Sequence, residues 1–242
     1  MLANYRFYDY ADGFLRDFLG AESLSVLDYS DYEGADLVHD LNQPVPENLH
    51  GRFDAVIDGG ALEHVFNFPM AISNLMKMTK VGGRVFLMLP ANNLCGHGFY
   101  QFSPELMFRI FVGANGFALR RLILWEAKYP SIELTPGRVA YDVTDPEVVG
   151  DRVGLVSQGP VILIVEAEKI ADIMPFATPP LQSDYVGHWK AAGPAAADGT
   201  LVRKFLKSVW RHLPFLLQSR LRGVLKKRSF SFSNRNFYKP LR

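Results

Sequence analysis

Near the middle of the chain, the pattern of hydrophobic and polar positions predicts a strand, a helix and a second strand in succession. Residues 53–57 are a short run of apolar and β-branched side chains that a glycine turn follows, which is typical of a buried strand. Pro69, which a first helical turn tolerates, and apolar residues at helical spacing over 72–79 indicate the helix. Residues 84–89 form the second apolar run, and Pro90 ends it. This succession predicts a parallel crossover unit.

The same patterns predict the elements on either side of this unit. An apolar stripe before it indicates a helix that packs on the sheet. After it, Ser103 followed by proline is typical of a helix start, and Gly116 is expected to end that helix. The predicted helices on either side are 5–19 and the helix that begins at Ser103. The predicted strands are 23–27, 35–38, 117–125 and 153–168. The last of these is either one long strand with a break at 158–160 or a pair of strands divided there.

Polar side chains gather directly after the two strands of the crossover unit. Glu63 and His64 follow the first strand, and His97 stands between two glycines after the second. Because ligands bind beyond the carboxyl ends of parallel strands, we expect these residues to face one crevice. We predict His64, beside Glu63, as a general base, and His97 as a second base or a substrate contact. The alternative is structural, with Glu63 and His64 orienting the next helix and His97 bonded to loop backbone. The predicted substrate contacts in the same loop are Asn92, Asn93 and Tyr100.

Three histidines of the sequence are also candidate metal ligands. His39, His64 and His97 are all candidates to converge at strand ends, but their spacing matches no metal motif. We therefore predict no metal site. The single cysteine, Cys95, excludes an internal disulfide and a thiolate zinc cluster.

Charge is distributed unevenly along the 242 residues. The chain has 26 basic and 25 acidic residues, and 12 of the basic ones but none of the acidic ones follow Gly199, which leaves about −11 before that point and about +12 after it. Apolar and basic positions alternate at helical spacing over 201–228, so we predict a basic amphipathic helical tail. An anionic membrane surface is one expected partner, with Phe205 and Trp210 as interfacial anchors. Contact with the acidic body or with another copy of the chain is an equal alternative, and nucleic acid is the weakest one.

Composition divides the chain into three parts. The 242 residues are 48% hydrophobic, which is enough for a full core, and we predict residues 1–172 as an α/β domain. Residues 173–199 are rich in proline, alanine and glycine and predict a linker, and 200–242 form the tail. No apolar run approaches the roughly 20 residues of a membrane helix, and the start of the chain is unlike a signal peptide. We therefore expect a cytoplasmic protein that the tail can bring to the inner face of the membrane.

Several motifs in series resemble one family. They read FDAVIDGGALEHV, then a helix, then VGGRVFLMLP and a later NGF. Together they resemble the second half of a class I S-adenosylmethionine-dependent methyltransferase domain of the type 11/12 kind. Two longer stretches, HDLNQPVPENLHGRFDAVIDGGALEHVFN and NNLCGHGFYQFSPEL, are similar to a bacterial branch of it. The resemblance covers residues 23–168.

The resemblance implies a fold and a cofactor site. The fold is a doubly wound, mostly parallel, Rossmann-like sheet of seven strands, whose final antiparallel strand would be residues 161–166. The cofactor is S-adenosyl-L-methionine. Asp28 would accept hydrogen bonds from the ribose hydroxyls. Asp40 and the backbone of Leu41 would hold the adenine edge. The residues implied at the methionine end are Asp58, Gly59 and Gly60.

One part of the family pattern is missing. Only four residues precede the helix at 5–19, and no G-x-G-x-x-G run occurs, so the first strand and its glycine loop are absent through truncation, a misassigned start or divergence. We predict a methyltransferase with an abbreviated N-terminus that acts on a small or lipid-linked acceptor. The alternative is a catalytically silent methyltransferase-like scaffold, or a truncated fragment, that binds a partner or a membrane.

Overall fold

The structure is a computed structural model that describes residues 11–32, 34–127, 139–186, 212–214, 217–218 and 230–241. Its helices are α1 (Asp12–Leu19), α2 (Phe68–Met78), α3 (Pro104–Ile110) and α4 (Pro146–Val149). Its strands are β1 (Leu27–Asp28), β2 (Leu37–Val38), β3 (Phe53–Asp58), β4 (Thr79–Asn92), β5 (Phe117–Glu126), β6 (Ala140–Val143), β7 (Val161–Lys169) and β8 (Tyr238–Pro240). The predicted linker beyond residue 186 and most of the predicted basic tail lie outside the described residues. No described helix is long and apolar enough to cross a membrane.

The predicted crossover unit is present as β3, α2 and β4. Strands β3 and β4 pair in parallel, and Asp58 at the end of β3 is in register with Leu87. Strand β4 begins directly after the helix, earlier than the apolar run predicts, and it includes the glycines expected to close the helix. A Cβ at Gly83 would lie 2.8 Å from the backbone oxygen of Asp54, so the close approach of β3 requires glycine there.

Six strands form one sheet in the order β3-β4-β7-β5-β6-β8. In this sheet β3 and β4 are parallel, and every other neighbouring pair is antiparallel. The expectation of a mostly parallel sheet is therefore wrong for the described strands. The reason is that β7 runs in the opposite direction between β4 and β5, and β6 and β8 then extend the sheet by antiparallel pairing, which needs no crossover helix. Strands β1 and β2 form a separate parallel pair.

The final antiparallel strand implied by the resemblance is confirmed. Strand β7 covers the expected residues and continues to Lys169, and it is antiparallel to both of its neighbours. It is a single strand that begins after Pro160, so the segment before this proline does not form the other half of a strand pair. Proline lacks a backbone donor, which explains why the strand begins after it.

The main core lies on one face of the sheet, where α2 and α3 pack. Leu87 and Val165 are in register on adjacent strands and are at most 1% exposed. They belong to the same cluster as the buried residues of both helices. On the opposite face, Ile57 and Met88 are 54% and 44% exposed. The two described crossover helices therefore share a face, which does not match a doubly wound sheet.

Two local expectations need correction. The helix predicted over 5–19 is described only from Asp12 onward, and in this part no residue is buried, whereas the prediction of a helix packed on the sheet requires buried residues; Phe14 and Phe18 stack on one another at 4.9 Å. Gly116 does not end α3, which stops at Ile110. It follows a separate short turn with φ of +74°, and its missing Cβ leaves room for the backbone oxygen of Ala171.

The end of the chain returns to the sheet. Tyr238, in β8, is fully buried, and its hydroxyl donates a hydrogen bond of 2.8 Å to the backbone oxygen of Gly154. Phe232 stacks on Tyr141 of β6 at 4.3 Å. The last described residues of the predicted helical tail are therefore a strand and a loop that complete the sheet edge.

Candidate active site beyond strands β3 and β4

Asp58 is a buried carboxylate at the end of β3, with 6% of its surface exposed. Its Oδ1 accepts a hydrogen bond of 2.8 Å from the backbone N–H of Ala61, which starts the following turn. Its Oδ2 is buried and has no hydrogen-bond partner among the described residues. Burial raises the pKa of Asp58, the bond from Ala61 partly offsets that rise, and the charge of Glu63 adds to it.

Glu63 is the centre of a cluster with two histidines. Its side chain is 1% exposed, whereas those of His64 and His97 are 54% and 40% exposed. The Oε1 atom of Glu63 lies 3.2 Å from Nε2 of His97 and 4.0 Å from Nε2 of His64. The two imidazole rings meet edge to face with centroids 5.3 Å apart. The structure thus brings together all three residues predicted to be catalytic.

Two glycines hold Glu63 in place. Gly98 has φ of +76°, and a Cβ there would lie 2.8 Å from both Cγ and the backbone oxygen of Glu63. Gly60 has φ of +123°, and a Cβ there would lie 3.1 Å from Oε1 of Glu63. The backbone N–H of Phe99 also donates a bond of 2.7 Å to the Glu63 carbonyl. Glycine is needed at both positions, because each combines a left-handed conformation with a close approach.

A cavity of about 150 Å³ lies between the β1–β2 pair and β3. Its lining includes Leu41 and Asp58, which are two of the predicted cofactor contacts, together with Leu27 and Leu37. Typical small-molecule sites are larger, from about 300 Å³. This cavity encloses room for only one end of a nucleoside-sized ligand. A larger cavity of about 380 Å³ lies between α3 and residues 180–184, away from these strand ends.

Asp28 and Asp40, two further predicted cofactor contacts, follow or precede residues that line this cavity but do not line it themselves. Asp28 is exposed and its Oδ1 accepts a bond of 3.0 Å from the backbone of Ser30. Asp40 accepts two bonds from Asn42, at 2.9 Å from the backbone and 2.7 Å from the side chain. These bonds lower the pKa of the Asp40 carboxyl. The carbonyl of Leu41 accepts a bond from the side chain of Asn74. Each carboxylate therefore forms a local turn.

The predicted substrate contacts hold neighbouring loops. The amides of Asn92 and Asn93 both donate to Ser157 Oγ at 3.0 Å, and Asn93 also bonds the carbonyl of Gly159 at 3.0 Å. The hydroxyl of Tyr100 donates a bond of 2.6 Å to the carbonyl of Phe66. His39, the third histidine considered as a metal ligand, lies apart from the cluster, with Nε2 3.2 Å from the carbonyl of Gln43.

Sequence reasoning missed Asn74. This residue is completely buried in α2, and its amide bonds the carbonyls of Leu41 and Gln43 while its oxygen accepts from the backbone of Val45. It ties the loop after β2 to the helix that follows β3. The available signal was a polar side chain within an apolar helical stripe, since a buried amide needs polar partners.

No family model and no curated protein matches this sequence. Among solved structures, the chain is similar to the antibiotic-resistance methyltransferase Kmr, with 15% sequence identity and a TM-score of 0.32. The similarity covers 57% of this chain and 62% of that one, so the matched part spans less than two thirds of Kmr.

Proposed function

We propose that this chain is an S-adenosyl-L-methionine-dependent methyltransferase that acts on a small or lipid-linked acceptor. The observation that carries the proposal is the Oδ2 atom of Asp58, which is buried and has no hydrogen-bond partner in the described part of the chain, on a residue that lines the cavity at the end of β3. A buried carboxylate oxygen without a partner is costly. The α-amino group of the methionine moiety is a cation that would satisfy it, in the region where the sequence resemblance places the methionine end.

The remaining cofactor contacts follow the strand ends. Asp28, at the end of β1, would accept bonds from the ribose hydroxyls, and Asp40 with the backbone of Leu41 would hold the adenine edge. Gly59 and Gly60 would allow the backbone to approach beside Asp58. Because the cavity is small, most of the cofactor would lie along its open side rather than inside it.

The bound cofactor supplies an electrophilic methyl group on a sulfonium sulfur. The residues of the chain hold the acceptor beside that group and remove its proton. His64 is half exposed, so it can meet an acceptor from solvent and accept its proton. His97 faces the same carboxylate and is the second candidate base. Asn92, Asn93 and Tyr100 shape the acceptor side.

The proposal extends to where the protein works. A lipid-linked acceptor would be reached at an anionic membrane surface on the cytoplasmic side, bound by the basic segment 201–228. The support for this part of the proposal is the excess of basic residues after Gly199 in the sequence. The segment itself lies almost entirely outside the described residues. A second copy of the chain is the alternative partner of this segment, and nucleic acid is not expected.

Calorimetric titration of the full chain with S-adenosylhomocysteine tests the proposal. We expect saturable binding that Asp58→Asn and Asp28→Ala each weaken by about tenfold or more, equivalent to about 1.4 kcal/mol. Asp54→Asn is the matched control, because Asp54 lies near the other end of β3 with its side chain 86% exposed, and it should bind like the wild type. Absence of binding by the folded wild type would overturn the proposal.

That negative result would favour a catalytically silent scaffold. Two observations motivate this second candidate function: the sequence has no glycine-rich loop, and the cavity is about 150 Å³. A scaffold would bind a partner or a membrane without binding the cofactor. Equal binding by the wild type and Asp58→Asn would also contradict the cofactor site that we propose, even if the cofactor bound elsewhere.

A further inference from the structure

Glu63, His64 and His97 each offer one metal-ligating atom, and the three atoms all lie within 4.8 Å of one another. We propose that these residues bind a divalent transition-metal ion of the Zn²⁺ class. The inference does not depend on methyl transfer, because metal binding is measured without the cofactor. It differs from the sequence-based prediction of no metal. That prediction considered His39 as the third ligand, whereas the third ligand in the structure is the buried carboxylate of Glu63.

The distances suit direct coordination. Bonds of about 2.0–2.2 Å from zinc to nitrogen and oxygen place neighbouring ligand atoms roughly 3.4 Å apart in a tetrahedral site. The distances from Glu63 Oε1 to His97 Nε2 and His64 Nε2 are 3.2 and 4.0 Å. Both imidazoles are partly exposed, so a small side-chain rotation of His64 brings it within range without disturbing the core.

A second observation also favours a cation at this site. The Oε2 atom of Glu63 is buried and has no hydrogen-bond partner among the described residues, and the whole side chain is only 1% exposed. Removing a carboxylate from water without full compensation is strongly unfavourable. Neutral histidines do not balance the negative charge of the Glu63 carboxylate, and a bound divalent ion would do so.

The carboxylate is also held firmly before any ion binds. Gly60 and Gly98 close around it, and Phe99 bonds its backbone carbonyl. The other two ligands come from the loops after two adjacent strands. Two imidazoles and one carboxylate suit Zn²⁺, Mn²⁺ or Fe²⁺, whereas Mg²⁺ and Ca²⁺ prefer oxygen ligands throughout.

The site would be open toward solvent. The exposed side of the cluster consists of the two histidines, with side chains 54% and 40% exposed, so an ion held by three residues would keep a position for water or for an oxygen of a substrate. An imidazole nitrogen that coordinates a metal cannot also accept a proton. Metal binding and general-base action by His64 are therefore alternatives, and direct binding measurements distinguish them.

The test is calorimetric titration of the untagged full chain with Zn²⁺ after treatment with a chelator and dialysis. We expect one equivalent to bind, and Mg²⁺ at the same concentrations to give no heat of binding. Glu63→Gln, His64→Ala and His97→Ala should each weaken binding by about tenfold or more. His50→Ala is the matched control, because His50 is exposed and lies outside the cluster, and it should bind like the wild type.

Cobalt provides a second measurement that reports on ligand type. One equivalent of Co²⁺ should give visible d–d absorption bands that His97→Ala alters and His50→Ala leaves unchanged. His64 is half exposed, so His64→Ala should remain folded even if a change at buried Glu63 does not. Zinc binding that survives both histidine substitutions at full affinity, or an absence of binding by the folded wild type, would overturn the inference.

Discussion

The Nε2 atom of His97 lies 3.2 Å from Oε1 of Glu63, although 34 residues separate them in sequence. The contact joins the loop after β3 to the loop after β4, whose strands are parallel neighbours. It shows that the carboxyl ends of these strands do converge, as ligand sites in α/β sheets require.

Gly98→Ala should disrupt the cluster. An alanine would have to adopt φ of +76° with its Cβ 2.8 Å from Glu63, so we expect a loss of about 2 kcal/mol or more in the free energy of unfolding. Zinc binding should weaken in the same variant, because Glu63 must move. Gly96→Ala is the control on the other side of His97, where a Cβ would meet no atom within 4 Å. Equal effects of both substitutions in urea unfolding and zinc titration would contradict this account.

Asp58→Asn should stabilise the ligand-free protein at neutral pH. A carboxyl whose folded pKa is raised contributes stability that is present below the unfolded pKa and is lost as the pH rises through the folded pKa. The advantage of the Asp58→Asn variant over the wild type in the free energy of unfolding should therefore grow between about pH 4 and pH 7. Urea unfolding at both pH values measures it, with Asp54→Asn as the control. A constant difference would mean that Asp58 titrates normally.

Asn74→Ala should loosen the loop that carries Asp40 and Leu41. The substitution leaves two carbonyls and one N–H without their buried partner, so we expect a loss of about 1–3 kcal/mol in the free energy of unfolding. Affinity for S-adenosylhomocysteine should fall as well. Asn48→Ala, at an exposed position, is the control. Unchanged stability of Asn74→Ala would show that these bonds do not hold the loop.

Tyr238→Phe tests whether the end of the chain belongs to the sheet. It deletes the hydroxyl that bonds the buried carbonyl of Gly154, so unfolding free energy should fall by about 1–3 kcal/mol. Burial also raises the pKa of Tyr238, so its phenol should not ionise below the pH at which the protein unfolds. Tyr32→Phe, with Tyr32 89% exposed, should have no effect. A difference of less than a few tenths of a kcal/mol between the two variants would contradict the docking of β8.

The sequence was informative where structure is local. The apolar run at 53–57 became β3, Pro69 lies in the first turn of α2, and Ser103 caps α3 by accepting a bond of 3.3 Å from the backbone of Leu106. These features depend on residues close together in the chain, so their signals are contained in short windows. The convergence of Glu63 and His97 also followed, because it needs only the parallel crossover.

The pairing of strands that are far apart in the chain could not be predicted from the hydrophobic pattern. The contact of β8 with β6 joins Tyr238 to Val143, and nothing in a three-residue strand specifies such a distant partner. Helix α1 shows a related limit of the sequence. An amphipathic pattern indicates that a helix has an apolar face, but it does not identify the surface on which that face packs. The buried environment of Glu63 depends on both loops, so neither local sequence shows that its second oxygen is buried without a hydrogen-bond partner among the residues that the structure describes.

Hydrogen exchange of the full chain, with and without saturating S-adenosylhomocysteine, tests most directly the claim that a cofactor binds beyond β3. We predict slower exchange of backbone amides at residues 58–64 and 39–42 when the ligand is present, and no change in β8. The same experiment with Asp58→Asn should show much weaker protection. Unchanged exchange in both segments, with the wild-type chain folded, would contradict the claim.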